Sequence, residues 1–234
     1  MWQYALLDEA EQAMLRAGVQ RFIEDKNWEG CGGLELTDEM KVTIAAYATL
    51  PILELDSDSY DHVMSVLVYP DAYVAPEESA GPGGLVAERR SARAGEAWQD
   101  GAVVLSWAEV QAGIGDRGSG RNVVIHEFAH ELDMLNRDVD GTPPLDDGDH
   151  VDSWRQVMAA VYERLVGEVE RGRHTFLDAY GATNIAELFA VASECFFETP
   201  AEMRRQEYAL YAMFCQYYRQ DLAARIETPP DRHT

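Results

Sequence analysis

The sequence predicts an α+β fold, predominantly helical, with a small sheet and an N-terminal helical portion. Most segments repeat their apolar residues at helical spacing, and only two short β-rich runs, 64–69 and 101–107, interrupt them. Apolar residues make up 47% of the 234, enough for a buried core in one domain. No internal repeat is visible.

The elements follow in order. Leu7 to Glu24 carries a stripe of Leu7, Ala10, Met14, Leu15, Val19 and Phe22, which reads as a helix. Thr37 opens a second helix that runs to Leu50; Asp38 and Glu39 suit its N-terminal dipole, and Pro51 ends it. Met64 to Tyr69 is a strand closed by Pro70. Residues 75–84 are rich in Pro and Gly and read as a loop. Gly101 to Trp107 is a second strand, and Ser106 can cap the helix behind it. A helix from Asn122 to Leu135 precedes an acidic loop, 138–152, that contains Pro143, Pro144 and His150. That loop lacks the calcium-loop spacing and reads as solvated. Ser153 to Glu170, Thr183 to Glu198 and Pro200 to Arg225 have helical spacing, and 228–234 reads as a disordered tail.

The helix from Asn122 carries His126-Glu127-Phe128-Ala129-His130. Residues four apart on a helix lie about 6 Å apart along the axis with a small angular offset, so both imidazoles reach one metal ion. A Glu directly after the first His is the zinc-hydrolase arrangement: two neutral His ligands, and a carboxylate placed to take a proton from water. Val124, Phe128, Leu132 and Leu135 fall on the opposite, core-facing side. A third ligand is needed. No His follows at the short Gly-containing spacing, and the next ones are His150 and His174. Glu187 is the better candidate. It shares a helix face with Glu194, with Ala190 between them, while Ile185, Leu188, Phe189, Ala192 and Phe196 form the apolar stripe. A competing role for Glu187 is the carboxylate of an Asn184 capping box, which uses the same oxygens. Asp133 and Glu194 are the candidates for fixing the histidine tautomers from behind the ligands.

The stretch His126 to Met134, with Ala179-Tyr180-Gly181-Ala182 and Ala186 to Phe197, resembles the Mlc titration factor A family of bacterial zinc peptidases. The resemblance covers nearly the whole chain, including Val68-Tyr69-Pro70 and the segment from Trp98 to Trp107. The spacing is also similar to the gluzincin-type site of the anthrax lethal factor protease domain. The resemblance implies a zincin-like metallopeptidase domain with one zinc ion held by His126, His130 and Glu187. It implies Glu127 as general base and Tyr180, seven residues before Glu187, as the phenol that stabilises the oxyanion. It implies a peptide or protein substrate, aminopeptidase cleavage as one mode, and a transcription-repressor partner linked to sugar uptake. On this reading 1–227 is one domain, with a helical portion at 1–60 and a catalytic core at 61–227. The edge of Val103 to Trp107 is placed to pair with an extended peptide. The alternative is a regulator-binding, titrating protein whose metal site is secondary; Glu127 and Tyr180, needless in a structural zinc site, favour catalysis.

Charge narrows the partners. Nineteen Lys and Arg against 42 Asp and Glu leave a net −23, which repels phosphate and argues against direct nucleic-acid binding. Cys31, Cys195 and Cys215 are too few and too scattered for a disulfide framework, which points to a reducing compartment. The N terminus lacks the pattern of a signal peptide and no stretch approaches a membrane span, so a cytoplasmic location is expected.

Overall fold

The computed structural model describes residues 1–56, 58–71, 101–116, 118–145 and 148–227. The expected loop at 75–84, Trp98 and the expected tail at 228–234 lie outside them. A short 3₁₀ turn at Gln3–Leu6 leads into α1 (Glu9–Asp25). Asp8 starts α1 with a capping box: its carboxylate accepts the Glu11 N–H, and the Glu11 side chain accepts the Asp8 N–H, each at 2.9 Å. Strand β1 (Asn27–Gly30) follows, then α2 (Asp38–Thr49), whose Thr37 cap accepts the Met40 N–H. β2 (Ser65–Tyr69) and β3 (Ala102–Ser106) fall where the sequence places its strands.

The three strands form one parallel sheet in the order β1-β2-β3, with Trp28 beside Val66 and Val66 beside Val103. Parallel pairing requires a long return connection, and α2 supplies it between β1 and β2. β1 itself carries no sequence signal: Asn-Trp-Glu-Gly contains no β-branched residue, and it pairs because α2 delivers it to β2. Val66, Val68, Val103 and Leu105 point into the core. Among the described residues β3 lies at one edge of the sheet.

Ser106 accepts the Glu109 N–H and begins α3 (Trp107–Gly115). The motif helix α4 (Val123–Asp133) comes next and tightens into a 3₁₀ turn at Met134–Asn136. Leu135 falls in that turn and is 38% exposed, so the apolar face ends at Leu132. Phe128 fills the side opposite the histidines. It packs edge-on against Phe22 at 5.4 Å and Tyr60 at 4.9 Å.

Two helical boundaries differ from expectation. The helix expected from Ser153 begins at Gly148, so His150 lies on α5 (Gly148–Glu170) and the acidic loop is shorter. The single helix expected over 200–225 is three: α7 (Pro200–Gln206), α8 (Tyr208–Tyr218) and α9 (Leu222–Glu227). Neither break has Pro or Gly. Glu207 takes φ −131° with its carboxylate on Arg164, and Arg219 takes a left-handed φ of 54°. Between α5 and α7 lie a 3₁₀ turn at Ala179–Ala182 and α6 (Ile185–Glu198). One buried cluster runs through the molecule, from Phe22 and Ile44 to Phe214 and Tyr218.

Gly141 joins three parts of this frame. Its N–H donates to Asp133 Oδ2 at 2.8 Å, at the end of α4, and its carbonyl accepts Trp154 Nε1 of α5 at 2.7 Å. Its φ is +71°, and a Cβ there would sit 2.6 Å from the Ile185 carbonyl oxygen at the start of α6. Gly141→Ala therefore combines left-handed strain with a backbone clash. We expect it to cost roughly 1–3 kcal/mol, read by denaturant unfolding. An unchanged midpoint would show that the turn relaxes freely.

Candidate metal centre

The site is built where α4 and α6 pack against each other. Small side chains permit the approach: Ala129 on α4 and Ala190 on α6 are buried. Asn122 caps α4 by accepting the Ile125 N–H at 3.2 Å, and Asn184 caps α6 by accepting the Glu187 N–H at 2.9 Å. The two roles weighed for Glu187 are thus divided. Its backbone N–H serves the cap, while its carboxylate faces the histidines.

Three donor atoms converge. His126 Nε2 and His130 Nε2 are 3.3 Å apart, and Glu187 Oε2 lies 3.1 Å from the first and 3.4 Å from the second. Among the described residues these three form the group of metal-ligating side chains whose donors gather this closely. Ligand atoms about 2.0–2.1 Å from a tetrahedral zinc are separated by about 3.3 Å, so the spacing fits that ion. The donor chemistry, two imidazoles and a carboxylate, fits it too.

The partners behind the donors set the tautomer. His126 Nδ1 lies 2.7 Å from Glu194 Oε1. A carboxylate only accepts, so Nδ1 carries a proton, and with a metal bound Nε2 would be the nitrogen left to ligate it. Glu194 Oε2 accepts the Asn122 N–H at 2.5 Å. Asp133, the other candidate, makes a different contact among the described residues. Its carboxylate is turned to the Gly141 turn, and burial pushes it up to about 7.

Charge is finely divided. Burial works against the Glu187 carboxylate, but hydrogen bonds to His126 and His130 outweigh it and hold the group at about 2. Burial likewise disfavours charge on both imidazoles. Glu194 and Glu187 overcome it at His126, which is raised; His130, buried beside His126, is lowered. Glu127, next to His126 and half-buried, is pushed up to about 7 by burial, with Glu187, Glu131 and Glu194 adding and His126 opposing. A carboxyl in that range exchanges protons readily near neutrality.

Tyr180 sits on the Ala179–Ala182 turn. Its hydroxyl donates to Glu187 Oε1 at 3.3 Å, and its ring lies 5.9 Å from that of His126. Asp178 fixes the turn by accepting the Tyr180 N–H at 2.9 Å, and Arg121, one residue before the α4 cap, holds Asp178 in an ion pair. A cavity of about 300 Å³ opens beside His130 and Glu187, lined by Val139, Asp140, Ile185 and Ala186. The structure brings His126, His130, Glu187, Glu194 and Tyr180 together; His150 and His174 are not members of the cluster.

Sequence reasoning leaves out several supporting residues. Glu131, fully buried on α4, pairs with His62 at 2.7 Å. Glu198 Oε1 accepts Asn122 Nδ2 at 2.7 Å. Glu198 does carry a signal, since it continues the Glu187–Glu194 face by four residues. Cys195 is buried, and burial drives its thiol far up; no two cysteines are joined among the described residues.

A His-Glu-x-x-His helix facing a carboxylate-bearing helix is the architecture of the metallopeptidase class. Comparison with known proteins gives the narrower assignment. The model of the glucose-regulated metallo-peptidase M90 family matches residues 1–219, and the chain belongs to that family. It is 38% identical over 226 residues to Mlc titration factor A of Salmonella paratyphi A, covering 94% of this chain and 83% of that one. It is 38% identical over 221 residues to Mlc titration factor A of Salmonella arizonae, covering 92% of this chain and 86% of that one. An uncharacterised protein of Synechocystis is 37% identical over 216 residues, covering 92% of this chain and 78% of that one. Among the described residues no helix is long and apolar enough to cross a membrane.

Proposed function

We propose that the protein is a zinc-dependent peptidase whose single zinc ion is held by His126, His130 and Glu187. The convergence of those three donor atoms at 3.1–3.4 Å carries the reading. Zinc held there supplies Lewis acidity to a water molecule and to the scissile carbonyl. Glu127 takes the proton of the attacking water and delivers it to the leaving amine. The Tyr180 hydroxyl turns from Glu187 to donate to the oxyanion that forms on the carbonyl oxygen. The cavity beside His130 and Glu187 gives a substrate side chain room next to these groups.

The test is cleavage of a peptide library by the zinc-loaded protein, with chelation and zinc restoration as the control. Tyr180→Phe belongs in the same experiment because it deletes only the hydroxyl. A donor used in the transition state affects kcat more than KM, and its loss costs on the order of 100-fold in kcat. Unchanged kcat in Tyr180→Phe with zinc retained rules out the oxyanion role. Absence of any cleavage by the loaded parent leaves the second reading, which the name of the Salmonella relatives supports: a protein that acts by binding the repressor Mlc.

A further inference from the structure

We propose that Trp2 and Glu198 are positioning residues for the metal centre, acting on His126 through Asn122 and Glu194. The proposal rests on the zinc reading above and extends it by two residues outside the motif.

The connection is continuous. Trp2 Nε1 donates to Glu198 Oε2 at 3.1 Å. Glu198 Oε1 accepts Asn122 Nδ2 at 2.7 Å. The Asn122 N–H donates to Glu194 Oε2 at 2.5 Å, and Glu194 Oε1 accepts His126 Nδ1 at 2.7 Å. Each carboxylate thus spends one oxygen on either side, so neither can turn without releasing a neighbour. Asn122 is the node. Its Oδ1 caps α4, its Nδ2 goes to Glu198, and its backbone N–H goes to Glu194. Gln3, fully buried, pins the same N-terminal turn by donating to the Phe197 carbonyl at 3.1 Å.

The arrangement costs more than packing alone requires. Two carboxylates one helical turn apart, both buried, repel and lose hydration. A pair of apolar residues would fill α6 more cheaply. The two acids gain instead a fixed azimuth for Asn122, and through it a fixed His126 ring. Groups behind a metal ligand set its orientation and basicity in this way. Trp2 is thereby linked, along one face of α6, to a ligand on α4.

The experiment measures zinc affinity by chelator competition in the full-length protein and in three variants, alongside circular dichroism. Glu194→Gln touches the ligand's own partner and is expected to weaken zinc binding roughly 10- to 100-fold. Glu198→Gln must point its amide N–H2 at Trp2 or at Asn122, both donors, and is expected to weaken zinc about 5-fold, with Trp2→Phe weakening it about 3-fold, as the effect fades with each added link. A second readout needs no metal. In ¹⁵N-histidine-labelled protein, exchange of the His126 Nδ1 proton with water should quicken in Trp2→Phe and Glu198→Gln while the helical signal stays that of the parent. If zinc Kd and Nδ1 exchange in both variants equal the parent's, the positioning role is wrong and the N-terminal turn is only docked. A parent that takes up no zinc refutes the zinc reading, and the exchange measurement still decides this one.

Discussion

Glu127→Gln is expected to keep its zinc and lose roughly 100- to 10,000-fold in kcat on any peptide the parent cleaves. The amide has nearly the shape of the carboxylate but cannot accept a proton. Glu127 is not one of the three converging donors, so the variant leaves the His126, His130 and Glu187 set intact. Parallel measurements of zinc content, kcat and KM separate the outcomes. Full zinc with kcat near the parent's would remove Glu127 from the reaction. Loss of zinc together with activity would show that the residue supports the centre instead of the chemistry.

The second large effect concerns the donors. His126→Ala and Glu187→Ala are each expected to drop zinc from one per chain to a trace after dialysis, with affinity weakened by more than roughly 100-fold, beyond the loss from a supporting partner. Glu187→Ala has an added structural consequence. The backbone cap from Asn184 survives, because it uses the Glu187 N–H and not the carboxylate. Helix α6 should therefore persist by circular dichroism while the metal is lost. Elemental analysis that found full occupancy in either variant would place the ion elsewhere.

The sequence makes legible the parts of this site that are local. His126, Glu127 and His130 lie within one turn and a half of helix, and Glu187 and Glu194 repeat at a helical interval, so spacing alone aligns them. Tyr180 is different. Nothing in its own neighbourhood assigns it a role, and only family resemblance ties it to Glu187. The supporting contacts are harder still. Trp2 meets Glu198 across 196 positions, and His62 meets Glu131 across 69. No periodicity links such partners. Asp133 shares the histidine side by helical arithmetic, and its contact with the Gly141 N–H at the end of α4 is one that periodicity does not reveal. β1 and the breaks at Glu207 and Arg219 are likewise set by tertiary partners. Local residues neither encode nor forbid them.

The clasp at Gly141 lies beside the donors of the proposed centre, whose spacing bears on which ions it would admit. It bonds the end of α4 to α5 through Asp133 and Trp154, and its backbone lies close against Ile185 at the start of α6. The gaps of 3.1–3.4 Å between the donors are the spacing that a small, four-coordinate ion requires. Calcium takes six to eight oxygen ligands at about 2.3–2.6 Å, a larger shell than three donors so spaced, two of them nitrogens, present. Rejection by size adds to the mismatch of imidazole nitrogen with a hard cation. The proposed centre is thereby matched to a small, nitrogen-seeking metal over calcium.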